Sequence, residues 1–283
     1  MNVDLHAHST SSDGLLSPRE LVERAARNGV TTLALTDHDE VAGLVEARTA
    51  ANHKGLCLVD GVEISVTWRD ATIHVLGLKV DPTDPTLLAG LFELRSGRLA
   101  RAKKIAEQLE VLGIQGSLGG ALALAGNPNI VSRAHFARYL VEKRFAPNTG
   151  AVFQRYLARG KPGYVAHQWV SLSQAIAWIR GSGGIAVLAH PGRYALSEGD
   201  LTELLTEFKE CGGESIEVVS GSHTKQQTRK FTAVANTYGF LASRGSDFHA
   251  PGERRGVDLG GVPMLADSLS PVWTHQALHS LCI

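Results

Sequence analysis

Asp4-Leu5-His6-Ala7-His8-Ser9 decides the fold. The run Val3 to Leu5 predicts a short strand, and alternation along a strand would put the His6 and His8 imidazoles on one face. The same grammar recurs. Thr31 to Leu35 leads into Thr36-Asp37-His38, Leu56 to Val59 into Gly61-Val62-Glu63, and Ile185 to Ala189 into His190. A last strand closes on Gly245-Ser246-Asp247-Phe248-His249. Metal-ligand side chains gathered at one end of several strands predict a barrel of parallel strands and alternating helices, which carries its chemistry at that end.

Outward from these fragments, the first ~80 residues alternate strand and helix signals. Ser17-Pro18-Arg19-Glu20 is a capping box with proline at the first helical position, and that helix closes near Gly29. A second helix is expected from about Glu40 to His53, before Gly55. Strands over 56–66 and 72–80 stand close enough for a hairpin. After Pro82 and Pro85 the pattern becomes helical without strands, from Leu87 to about Ala158. Alternation resumes at Gly160-Lys161-Pro162-Gly163. It gives a helix from Ser171, a strand ending at His190, a helix after Asp200, a strand Ser215 to Val219, a helix over 224–238 and a strand ending at Asp247. The expectation is an α/β chain of seven strands, with residues 1–85 and 160–283 forming the barrel. Residues 86–159 form a small all-helical insertion that caps the substrate.

Composition narrows the function. Twenty-eight basic against 28 acidic residues give zero formal charge, which argues against broad capture of long nucleic acid but suits a small anion. No apolar stretch approaches the ~20 residues of a membrane span, and no signal-peptide pattern opens the sequence, so a cytoplasmic location is expected. Cys57, Cys211 and Cys282 are isolated and odd in number, and read as buried or incidental thiols.

Six of the twelve histidines, His6, His8, His38, His74, His190 and His249, fall at or beside expected strand ends, joined by Asp13, Glu63 and Asp247. Nine such side chains exceed what one ion takes, so they point to two or three divalent ions sharing a bridging carboxylate. Glu63 is the candidate bridge. Without cysteine in the set, Mn²⁺, Zn²⁺ and Fe²⁺ all remain open.

On Asp4-Leu5-His6-Ala7-His8-Ser9, Asp13-Gly14, Thr36-Asp37-His38-Asp39, Gly61-Val62-Glu63, His74, Ala189-His190-Pro191 and Gly245-Ser246-Asp247-Phe248-His249, the chain resembles the polymerase and histidinol phosphatase (PHP) family of metal-dependent phosphoesterases. The resemblance implies a distorted (β/α)7 barrel related to the amidohydrolase superfamily, with Mn²⁺ the preferred ion. It implies one ion on His6, His8, Glu63 and Asp247, a second on Glu63, His74 and His190, and a third on Asp13, His38 and His249. The helical insertion and Ser132-Arg133-Ala134-His135 resemble the bacterial branch acting on nucleoside 3′,5′-bisphosphates, some of whose members trim short RNA from the 5′ end.

Expected chemistry follows from that set. A metal-bound hydroxide attacks phosphorus, so no nucleophilic side chain is needed. The substrate expected is a small nucleotide or a short 5′-phosphorylated oligonucleotide, with no protein partner. Its second phosphate needs its own anion site, for which Arg98, Arg101, Arg133 and His135 in the insertion and Lys161 at its return are candidates. Arg95, Arg98 and Arg101 recur every third residue and would otherwise be a solvated helix stripe. Ser222 and His223 follow the sixth strand. They are candidates to meet the reacting phosphate, His223 as a proton donor, or else to cap the next helix. Histidinol phosphate phosphatase and 5′-to-3′ exonuclease are the enzymatic alternatives, and a nucleotide-sensing metal protein without turnover is a third.

Overall fold

Seven strands lie side by side in chain order: β1 (Val3–Asp4), β2 (Thr32–Leu35), β3 (Cys57–Trp68), β4 (Ala71–Leu78), β5 (Ile185–Leu188), β6 (Ser215–Ser220) and β7 (Leu241–Gly245). They belong to a computed structural model that describes residues 1–252 and 257–275. Neighbours pair in parallel except at β4, which runs antiparallel to both β3 and β5. The Leu5 N–H donates to Arg244 O at 3.0 Å and the Asp247 N–H to His6 O at 2.8 Å, which joins the first and last strands and nearly closes the sheet into a barrel.

Reversal of β4 has a direct consequence for the site. Its N-terminal half, with His74, comes to the mouth where the parallel strands present their C-terminal ends. The β3–β4 hairpin turns at Arg69-Asp70, as the short link requires. Glu63 lies inside its strand, as the expected strand over 56–66 places it. It lies midway along β3, where pairing with β2 has stopped and the hairpin with β4 carries the strand onward.

Inward-facing Val59, Leu76, Leu78, Ile185, Val187 and Ala189 form a small buried cluster with Val3, Leu5 and Ala34. Val59 and Glu63 share a face, as do His74, Leu76 and Leu78, so the ligands at the mouth continue this inner face. The opposite faces of the strands meet the outer helices: α1 (Pro18–Arg27), α2 (Leu44–Lys54) and, later in the chain, Leu172–Gly181, Glu198–Glu210 and Lys225–Tyr238. Both reciprocal bonds of the Ser17–Glu20 capping box are made. The second helix starts at Leu44, not near Glu40, because the Glu40 carboxylate accepts the N–H groups of Val41 and Ala42 at 2.8 and 3.0 Å and ties that stretch into a turn.

Between β4 and β5 stand α3 (Pro85–Val111), α4 (Ser117–Leu124), α5 (Arg133–Glu142) and α6 (Thr149–Val152), followed by a π turn over Phe153–Leu157. Two buried clusters share α3. Leu87, Leu91 and Leu94 join the barrel's outer core, whereas Ile105 and Leu109 pack with Ile114, Phe136, Leu140 and Val152. Gly90 marks the close approach to α7 (Leu172–Gly181), because a Cβ there would lie 2.5 Å from the Trp178 ring. The helices α8 (Glu198–Glu210) and α9 (Lys225–Tyr238) follow, capped by Ser197 and Thr224. Cys211 is a free thiol, but Cys57 is disulfide-bonded, which corrects its reading as an incidental thiol; Cys282 lies outside the described residues. Among the described residues no helix is long and apolar enough to cross a membrane.

Candidate metal centre

All nine expected ligands meet at the barrel mouth. Although β1 stops at Asp4, backbone bonds to the end of β7 hold the chain in line, and the His6 and His8 Nε2 atoms come 3.1 Å apart. Glu63, fully buried, reaches five imidazoles. Its Oε2 lies 3.3, 3.2 and 3.0 Å from His6, His8 and His38, and its Oε1 lies 2.9 Å from both His74 and His190. Asp247 Oδ1 stands 3.5 and 3.4 Å from His6 and His8, while Asp13 Oδ1 stands 3.2 Å from His249 and 3.9 Å from His38.

These contacts resolve into four overlapping groups of atoms spaced to hold an ion: His6, His8 and Asp247; His6, Glu63 and His190; His38, Glu63 and His74; and His8, Asp13, His38 and His249. The grouping differs from the expected one in that His6, His8 and His38 each serve two groups. Glu63 spans two groups, as a bridge must.

The donor set fits divalent metal. Glu63 Oε2, His38 Nδ1 and His74 Nδ1 are buried without a hydrogen-bond partner, despite lying about as close as hydrogen-bonded atoms would. Buried polar atoms that converge without bonding one another suit a shared divalent cation. Burial holds His8 and His190 well below the usual imidazole range, and so neutral, as ligation requires. The carboxylates of Glu63 and Asp13 are held well below theirs: burial opposes ionisation, but the surrounding imidazoles, His38 for Glu63 and His249 for Asp13 foremost, outweigh it.

Strain and supporting bonds shape the mouth. His190 (φ 28°), Asp247 (φ 53°) and Asp39 (φ 50°) hold positive φ, a conformation costly for residues with a Cβ and typical of functional sites. Glu217 orients two of the gathered histidines, accepting the His190 N–H at 2.6 Å and lying 3.2 Å from His6 Nδ1. A glutamate inside the apolar run Ser215–Ser220 was the sequence signal for it. Next to Glu217, a register shift against β7 bulges the strand. Arg193 was also not foreseen. It follows His190 by three residues, is 40% exposed, and its Nη1 donates to Asp247 Oδ2 at 3.0 Å.

The expected substrate contacts divide. Arg95 and Arg98 reach Asp39 and Arg101 reaches the Val165 carbonyl, so the three are not a solvated stripe. Arg98 is 5% exposed, ion-paired with Asp39, 3.2 Å from Ser65 Oγ, and 4.8 Å over the Trp169 ring. Its charge is therefore met within the protein, which removes it from the substrate candidates. His135 is removed too: it is 1% exposed and its Nδ1 accepts the Ser132 N–H at 3.0 Å. Burial pushes its pKa down to about 4.

Arg101 and Arg133 remain. Arg101 Nε donates to Val165 O at 3.1 Å and Arg133 Nη1 to Leu157 O at 3.3 Å, with Arg133 5.8 Å over the rings of Phe153 and Tyr164. Burial pulls Arg101 down to about 9, with Arg133 and Arg98 adding repulsion, and burial also lowers Arg133. Both guanidiniums are half-buried and each spends one N–H on a backbone carbonyl. Lys161 is exposed at the return, and Ser222 Oγ lies 3.3 Å from Ser220 Oγ.

His223 is corrected. Its Nε2 accepts the Gly192 N–H at 3.0 Å and its Nδ1–H donates to Val218 O at 3.0 Å, so neither nitrogen has a proton to give to a leaving group. With Gln227, whose amide donates to Gly192 O at 2.5 Å, it clamps the turn between His190 and Arg193. Neither Ser222 nor His223 caps the next helix; Thr224 does.

A mixed barrel with a carboxylate-bridged imidazole cluster at its mouth defines a metal-dependent hydrolase scaffold. The PHP domain matches residues 4–242, and the chain belongs to the PHP family. It is 48% identical over 272 residues to the 3′,5′-nucleoside bisphosphate phosphatase of Chromobacterium violaceum, covering 96% of this chain and 95% of that one. It is 44% identical to the 5′-3′ exoribonuclease Rnm of Escherichia coli, covering 95% and 92%. A solved amidohydrolase from Chromobacterium violaceum, with bound sulfate and no metal, superposes with a TM-score of 0.95 at 46% identity, covering 99% of this chain and 96% of that one.

Proposed function

We propose that this protein is a metal-dependent phosphatase that removes the 3′-phosphate of nucleoside 3′,5′-bisphosphates, leaving the nucleoside 5′-monophosphate and inorganic phosphate. The observation that supports the reading is the cluster of side chains around Glu63, together with the half-buried Arg101 and Arg133 on the helices between β4 and β5. Identity of 48% to a bisphosphate phosphatase supports it.

His6, His8, Asp13, His38, Glu63, His74, His190, Asp247 and His249 would hold two or three divalent ions, Mn²⁺ by preference. Such ions neutralise phosphoryl charge and activate water at neutral pH. The chain's own groups do the rest. Glu217 fixes the His6 ring and the His190 backbone, and Arg193 sets a cation at the cleft edge of the cluster. Arg101 and Arg133 hold the 5′-phosphate, which orients the 3′-phosphate toward the cluster. The helical segment serves as the substrate cap.

Arg133→Ala should raise KM for adenosine 3′,5′-bisphosphate roughly 10- to 100-fold, the worth of one charged hydrogen bond. It should leave KM for adenosine 3′-monophosphate within about twofold, because that substrate lacks the group gripped. Steady-state phosphate release on both substrates checks this.

A second reading, trimming of short 5′-phosphorylated oligonucleotides, is supported by the 44% identity to an exoribonuclease. Phosphate and nucleotide release, measured in Mn²⁺ on adenosine 3′,5′-bisphosphate, histidinol phosphate and a 5′-phosphorylated dinucleotide, separates the readings. The bisphosphate should give the highest kcat/KM. Turnover of histidinol phosphate alone, or nucleotide binding with no turnover, would overturn the proposal, and preference for the dinucleotide would favour the second reading.

A further inference from the structure

Helix α5 reaches the side chains at the barrel mouth at Asp13. The turn of Asp13 is built tightly: Asp37 accepts from the Ser9 N–H, the Ser9 hydroxyl and the Ser12 hydroxyl at 2.7, 2.6 and 2.5 Å. A Cβ on Gly14 would lie 2.2 Å from His8 O. These contacts fix the path of the turn but leave the Asp13 side chain undirected.

Helix α5 directs it. Ser132 Oγ, at the N-cap, donates to Asp13 Oδ2 at 3.0 Å while accepting the Ala134 N–H at 3.1 Å. Six residues further on, Arg138 Nη1 donates to the Asp13 backbone carbonyl at 2.6 Å. With Oδ2 so held, Oδ1 faces His249 and His38.

We propose that Ser132 and Arg138 are positioning residues for the ion bound by His8, Asp13, His38 and His249, so that the inserted helices complete the metal centre as well as covering substrate. Bonds of this outer kind fix the orientation and basicity of a ligand, and their loss typically weakens metal affinity about 10- to 100-fold. The other three ligand groups contain no residue that α5 touches through these bonds. Removal of the two donors should therefore affect one ion and spare the rest. The adjacent Arg133 gives the arrangement a further consequence. One helix N-terminus carries both a proposed substrate contact and the support of a metal ligand.

Ser132 also caps α5, so the test must separate support from capping. Ser132→Asp keeps a good N-cap but turns a carboxylate toward Asp13, Ser132→Thr keeps both cap and donor, and Arg138→Met leaves the cap untouched. Each variant is loaded with Mn²⁺, dialysed, and assayed for bound metal per chain by elemental analysis, with circular dichroism to verify folding. Ser132→Asp and Arg138→Met should each hold one ion fewer than the unsubstituted protein, or lose one ion to chelator about 10- to 100-fold more readily. Ser132→Thr should match the unsubstituted protein. Full metal content and unchanged chelator release in the folded Ser132→Asp and Arg138→Met proteins would overturn the inference. Those assays involve no substrate, so the inference fails separately from the assigned reaction, whereas absence of metal from the unsubstituted protein would overturn both.

Discussion

Glu63→Gln is expected to lower kcat/KM by about 10³-fold or more while leaving the barrel folded, because it removes the one side chain common to five imidazole contacts. Glutamine keeps the shape of glutamate but carries no charge, and one end of its amide is a donor that cannot ligate. Two of the four ligand groups lose their carboxylate at once. A bound metal supplies several kcal/mol of transition-state stabilisation, which at 1.36 kcal/mol per factor of ten corresponds to about 10³-fold. Folding should survive, since Glu63 lies at the mouth and the inner cluster of Val59, Leu76, Leu78 and Val187 is untouched. Phosphate release with and without added Mn²⁺, alongside circular dichroism, checks both halves. Activity within tenfold of the unsubstituted protein would remove Glu63 from the centre.

Arg98→Ala should destabilise the protein by about 3–5 kcal/mol, the cost of breaking a buried ion pair from one side. Arg98 reaches across from α3 to Asp39, which follows His38 and also accepts the Ser65 N–H and hydroxyl at 2.8 and 3.0 Å. Truncation leaves the Asp39 carboxylate buried without its counter-charge and uncovers the face of Trp169. Replacing both partners avoids the stranded charge, so Arg98→Met with Asp39→Asn should recover much of the loss. Urea unfolding of the three proteins measures this. Equal stability of Arg98→Ala and the unsubstituted protein would show that the pair does not anchor α3 to the mouth.

The barrel and the gathering of the nine side chains at its mouth were legible because both obey short-range rules. Apolar runs of four or five residues ending in His, Asp or Glu give the strands and the ligands together, and capping at Ser17 fixed a helix start to the residue. The supporting contacts were not legible, since they depend on which distant residues meet. Arg98 looked like a phosphate ligand until Asp39, 59 positions away, was seen beside it. His223 looked like a proton donor until both its nitrogens were found on backbone groups, and Arg193 had no local signal at all. Glu63 was identified for its type, and the expected hairpin of 56–66 with 72–80 already set it inside β3; the antiparallel pairing of β4 with β5 is what the sequence did not carry.

Anomalous diffraction at the manganese edge, on crystals of protein prepared without chelator and supplied with Mn²⁺, tests the central claim most directly. Two or three peaks should appear at the barrel mouth, with Glu63 touching more than one of them and Asp13 and His249 sharing one. A single peak away from Glu63, or none among the nine side chains, would contradict the account.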